Sequence, residues 1–109
     1  MTEEVKNFIE QNIDLISNNE WEEVYQKQFP EGFTETLLEC KIDPLLYLKV
    51  IPRYYFDKGS IDSLIIPEHI EKISMRSYHK CENLKTVIVL GDNLKVIEEE
   101  AFLMCKELE

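Results

Sequence analysis

Apolar and polar positions along the chain follow two rhythms, and the change falls near Gly59. Before it, apolar residues recur at steps of three and four. Val5, Phe8, Ile9, Ile13 and Ile16 form one stripe of an amphipathic helix. Thr2 stands where an N-cap is needed, and Glu3 and Glu4 fall in the first turn, where acids suit the helix dipole. Ser17-Asn18-Asn19 ends this helix. Asn19 is expected to cap a second one, with Glu22 at the capping-box position and Trp21, Val24 and Tyr25 buried. Pro30-Glu31-Gly32 predicts a turn, then a short third helix burying Phe33, Leu37 and Leu38. Asp43-Pro44 predicts a fourth helix start, with proline at the first helical position. That helix would carry Leu45, Leu46 and Leu48 and stop near Ile51, because Pro52 disfavours helical geometry before it.

After Gly59 the rhythm becomes a repeat. The copies run from 61 to 84 and from 84 to 108. Ile61/Leu84, Leu64/Val87 and Ile66/Val89 lie 23 residues apart. One extra residue near Gly91-Asp92-Asn93 lengthens the step to 24 for Ile70/Leu94, Ile73/Ile97, Tyr78/Phe102, Cys81/Cys105 and Leu84/Leu108. Asp62–Ile66 and Thr86–Leu90 are short runs rich in β-branched residues and are expected to form strands. In a solenoid such strands stack as a parallel sheet, with the recurring aromatic and Cys pointing into the shared core.

These positions carry a family resemblance. Ile61, Leu64, Ile66, Pro67, Ile70, Ile73, Tyr78, Cys81 and Leu84 resemble the BspA-like class of leucine-rich repeats, as do Leu84, Val87, Val89, Leu94, Ile97, Ala101, Phe102, Cys105 and Leu108. Ser77-Tyr78 stands where the pattern has Ala-Phe, and Leu90-Gly91 replaces a proline. The helical half, with Ile42-Asp43-Pro44-Leu45 and Ile51-Pro52, looks like the lead-in of small phage and bacterial proteins with this repeat. The resemblance implies a non-enzymatic module that binds other proteins. The expected fold is α/β: a helical N-terminal segment (1–58, about four short helices) packed on a two-coil leucine-rich-repeat solenoid with short parallel strands (59–109), one continuous core.

Charge narrows the functional classes. The chain has 109 residues and a net charge of −10. Direct binding to nucleic-acid phosphates or anionic membranes calls for a basic face and is not expected. Nor is a membrane span, because no apolar run approaches ~20 residues. The N-terminus lacks the basic and apolar regions of a secretory signal, so a cytoplasmic location is expected, in the host cell if the protein is phage-encoded. The excess charge lies at the ends. Residues 1–30 hold seven acids and two bases, residues 61–97 five of each, and residues 98–109 five acids and one base. Glu20, Glu22, Glu23, Glu98, Glu99, Glu100, Glu107 and Glu109 are therefore candidate contacts for a partner with a basic surface. An inhibitor of a nucleic-acid-handling host or defence protein, of the anti-CRISPR kind, is one such reading. A structural or capping fragment of a larger repeat assembly is the alternative. Because a further strand would follow Leu108, Thr86, Val87, Ile88 and Val89 form a candidate open edge that pairs with a partner or a second copy, giving a homodimer through the C-terminal end.

Catalytic and metal chemistry finds no footing. Cys40, Cys81 and Cys105 form no CxxC pair, and His69 and His79 fall on no zinc spacing, so no metal or cofactor is expected. Cys81 lies two residues from His79, but Cys105 repeats its position without a histidine, which marks it as a structural core thiol. Tyr54-Tyr55-Phe56 is expected to pack between the helices and the first coil.

Overall fold

Thr2 opens the first element as expected: its hydroxyl accepts the Val5 amide hydrogen at 3.2 Å. In the computed structural model, which describes residues 2–108, the chain divides into two units, Met1–Leu48 and Lys49–Glu109.

The first unit is helical: α1 (Glu3–Gln11), α2 (Ile13–Ser17), α3 (Trp21–Gln26), α4 (Phe33–Glu39) and a 3₁₀ turn, Pro44–Leu46. The single first helix expected from the apolar stripe is broken at Asn12. Asn12 is buried, its amide donates to the carbonyls of Phe8 and Ile9, and its Nδ2 donates to Phe8 O at 2.8 Å. A side chain that bonds nearby backbone competes with helix continuation. Asn19 does not cap the second helix. It sits in the left-handed region, its Oδ1 accepts the Trp21 indole N–H at 3.3 Å, and Glu20 takes the N-cap place without a side-chain bond. Trp21, Val24 and Tyr25 are buried as expected, whereas Leu38 is exposed.

The core of this unit is aromatic. Phe33 packs edge-on to Phe8, with centroids 4.8 Å apart, and against Tyr25 at 5.5 Å. The Tyr25 hydroxyl lies 2.7 Å from Thr34 Oγ1, which satisfies two buried polar groups. The predicted fourth helix shrinks to its first turn. Asp43 Oδ1 does accept the Leu45 amide hydrogen at 3.1 Å, but Leu46 and Tyr47 are exposed and Val50–Ile51 is a strand.

The second unit is built from coils. Its strands are β1 (Val50–Ile51), β2 (Ser63–Ile66), β3 (Lys72–Ile73), β4 (Thr86–Val89) and β5 (Val96–Ile97). They form two parallel ladders, β1-β3-β5 and β2-β4. Ile51 registers with Ile73 and Ile73 with Ile97; Leu64 registers with Val87 and Ile66 with Val89. Each coil then turns through two non-glycine residues of positive φ, four apart: Tyr54 and Lys58, Arg76 and Lys80, Glu100 and Met104. Side chains pay a steric penalty in that region, and the cost is offset by a repeated hydrogen-bond row. Tyr54, Phe56 and Lys58 donate to the carbonyls of Arg76, Ser77 and His79, at 3.2, 2.8 and 2.7 Å. One step on, Arg76, Tyr78 and Lys80 donate to Glu100, Ala101 and Leu103, at 3.1, 2.9 and 2.8 Å.

The row reveals a partial coil that the repeat alignment missed. Val50–Gly59 already has the strand, the aromatic corner and both positive-φ residues. The extra residue of the last coil falls at Gly91, which has φ +68°, and a side chain there would crowd Glu68.

Candidate functional site

Side chains follow the same period as the backbone. Cys81 Sγ–H donates to Phe56 O, and Cys105 Sγ–H donates to Tyr78 O, both at 3.0 Å. The ring of Phe102 stacks on Tyr78, with centroids 5.6 Å apart and planes 9° from parallel. Burial pushes the Cys105 thiol pKa up, against smaller opposing hydrogen bonds involving Cys81. The proximity of His79 to Cys81 in the sequence has no catalytic counterpart. His79 Nδ1 lies 2.8 Å from Asp57 Oδ1 instead, tying the second coil to the first half coil.

The end of this stack is open. Ile66 and Ile73 in the middle coil are 0% exposed, yet their equivalents Val89 and Ile97 are 42% and 54% exposed. Tyr78 and Cys81 are buried, whereas Phe102 and Cys105 are only half-buried. The amides of Glu100, Phe102 and Met104, next in the donor row, find no backbone acceptor among the described residues. Thr86, Val87, Ile88 and Val89, the candidate edge, form β4, which has β2 on one side and no strand on the other among the described residues. Ile65 and Ile88 pair across the outer face of this ladder and are both exposed.

The candidate acids fall into two groups. Glu20, Glu22 and Glu23 are exposed at the start of α3 in the first unit, where Glu22 and Glu23 suit the helix dipole. In the second unit, Glu98 accepts the Met75 amide hydrogen at 3.0 Å and faces Lys72 Nζ at 3.7 Å. Glu100 binds Arg76 Nε at 2.8 Å. The Tyr54 hydroxyl accepts from Arg76 Nη1 at 3.2 Å, and this bond, followed by Glu100, raises the pKa of the guanidinium. Glu98 and Glu100 thus have internal partners, which charge counting along the chain did not reveal. Glu99 and Glu107 are exposed, and Glu109 lies outside the described residues.

An open groove beside α1, lined by Glu4, Asn7, Phe8, Gln11, Gln28, Phe29 and Pro30, offers amides, rings and one carboxylate. Among the described residues, no three His, Cys, Asp or Glu side chains converge to hold a metal, and no helix is long and apolar enough to cross a membrane.

Parallel ladders in register, a repeated corner and a repeated thiol bond define a coil-repeat unit. The model of the BspA type leucine-rich repeat region (6 copies) matches residues 49–109, more than half of the chain, and the protein belongs to that family. The matched segment begins at the partial first coil. Proteins of this family are generally non-enzymatic, and their repeats typically bind other proteins. No curated protein and no solved structure matches the chain significantly.

Proposed function

We propose that the protein is a non-enzymatic interaction module that binds another protein through its repeat unit. The carrying observation is the exposure of Val89 and Ile97, core positions of the repeat that stand open at its C-terminal end. Apolar surface left at equivalent positions gains by being covered, and adjacent unpaired backbone supplies direction. Affinity capture followed by calorimetry on the purified pair tests this. The expected result is saturable, stoichiometric binding to a protein, weakened at least tenfold by Val89→Lys with Ile97→Lys. Repeated capture without any stoichiometric protein would refute it.

The narrower reading makes the partner basic and the protein a small, cytoplasmic, phage-type inhibitor of a nucleic-acid-handling host or defence protein, as anti-CRISPR proteins are. Net charge and the exposed Glu20, Glu22, Glu23, Glu99 and Glu107 support it. Complementary charge speeds encounter and is screened by salt. Affinity that survives 0.5 M salt, or survives glutamine at these five positions, contradicts this form. The second reading, a capping piece of a larger repeat assembly or homo-oligomer, draws on the same open end and predicts self-association or a same-family partner.

A further inference from the structure

Two thiols of the second unit stand in one column. Tyr78 N–H donates to Ala101 O and Lys80 N–H to Leu103 O, so the middle corner runs beside the last one, and Cys81 and Cys105 follow those corners at equivalent places. Adjacent chains of a parallel ladder lie about 4.8 Å apart. A disulfide needs Cα atoms roughly 4.4–6.8 Å apart, so one coil step lies within its reach. Both thiols point the same way along the stack. Cys81 Sγ–H reaches back to Phe56 O, and Cys105 Sγ–H reaches back to Tyr78 O, in the coil that holds Cys81. The Cys105 sulfur accordingly meets hydrogen-bonding groups of Cys81 itself. In the first coil Gly59 holds the equivalent place: its amide bonds Phe56 O as the Cys105 amide bonds Phe102 O. The column therefore allows one pairing, Cys81 with Cys105, and Cys40 belongs to the first unit.

We infer that Cys81 and Cys105 form a redox-operated staple, closed by a small disulfide of the glutathione class, that locks the last coil onto the middle one. Cys105 is half-buried and Cys81 buried, so an oxidant in solution meets Cys105 first. The Cys105 thiolate attacks one sulfur of the small disulfide; that S–S bond breaks, one thiol leaves, and a mixed disulfide remains on Cys105. Cys81 then turns its sulfur from Phe56 O to Cys105 and attacks it, and the second thiol leaves as the Cys81–Cys105 bond forms. Each departing thiolate takes up the proton given up by the attacking cysteine. Two cysteine thiols are thus oxidised, and one small disulfide is reduced to two thiols. Phe56 O is not orphaned by the turn, because the Gly59 amide still donates to it at 3.3 Å. Burial that raises the Cys105 pKa slows the first attack near neutrality and lets it quicken as pH rises.

The test uses the full-length protein carrying Cys40→Ser, which leaves only the two thiols of the column. It is equilibrated with increasing oxidised glutathione at fixed reduced glutathione, folded in buffer and unfolded in urea, then quenched with acid and mapped by peptide mass spectrometry. The expected result is an intramolecular Cys81–Cys105 bridge that half-forms in the folded protein with at least tenfold less oxidised glutathione than in urea. Adding Cys81→Ala should stop the folded protein at the mixed disulfide on Cys105, and adding Cys105→Ala should leave Cys81 unmodified. Circular dichroism checks that these variants fold; if either does not, the comparison of folded with urea-unfolded Cys40→Ser protein decides alone. A mixed disulfide on Cys105 that persists in the folded protein without bridging overturns the inference. So do bridges between molecules only, or a folded protein that needs as much oxidised glutathione as the unfolded chain.

Discussion

Individual residues carry the period in ways that side-chain type alone conceals. Six non-glycine residues adopt the same left-handed corner, among them Tyr54, Arg76 and Glu100 at one position and Lys58, Lys80 and Met104 at the other. Nothing about Tyr, Arg, Glu, Lys or Met announces positive φ, so the corner was invisible in the sequence. Gly59 stands where Cys81 and Cys105 recur, and a Cβ there would run into the Phe56 ring. The first coil therefore lacks the cysteine that made the later copies easy to align. The three thiols sit in graded environments: Cys40 exposed, Cys105 half-buried, Cys81 buried. The thiolate is the reactive form. A pKa raised by burial leaves Cys105 with less thiolate at a given pH, so its rate keeps rising with pH beyond the usual thiol range. Alkylation followed by mass spectrometry should label Cys40 first, Cys105 more slowly, and Cys81 only on unfolding. Labelling of Cys81 in the folded protein as fast as Cys40 would contradict the thiol row.

Among elements, the β2 and β4 strands were legible because short runs rich in β-branched residues recur there 23 apart. The second ladder was not. β1, β3 and β5 are two residues each, too short for a period to show. β1 also carries Ile51 before Pro52, which resembles a helix end, and its step to Ile73 is 22 residues instead of 24. Tyr54-Tyr55-Phe56, with Tyr55 and Phe56 buried, is the corner of this first coil. The ladder provides a matched pair of mutations. Ile73 and Ile97 are the same residue in register, one fully buried and one 54% exposed. Ile73→Ala should cost about 2–5 kcal/mol, within the range for a buried aliphatic, and Ile97→Ala less than about 1 kcal/mol. Urea unfolding measures both, and equal losses would mean that the last coil is as closed as the middle one.

For the whole molecule, the charge of −10 acquires a position. The acids of the last coil are split between internal pairs with Lys72 and Arg76 and exposed groups at Glu99 and Glu107. Exposed ion pairs of this kind add little to stability, because solvent screens them. Stability comes from the covered apolar layers, and the last layer leaves Val89 and Ile97 exposed. The family resemblance was readable from the apolar, aromatic and Cys positions of two copies. An open edge at Thr86–Val89 is already expected from the repeat, whereas the exposure of Ile97 against the burial of Ile73 required the structure.

The most direct test of that open end is amide hydrogen exchange in the free protein, resolved by residue along the donor row. Tyr54, Phe56, Lys58, Arg76, Tyr78 and Lys80 donate to the following coil and should exchange slowly, on the scale of global unfolding. Glu100, Phe102 and Met104 should exchange at least tenfold faster. Equal protection across all nine amides would show that the end is already closed and would contradict the account.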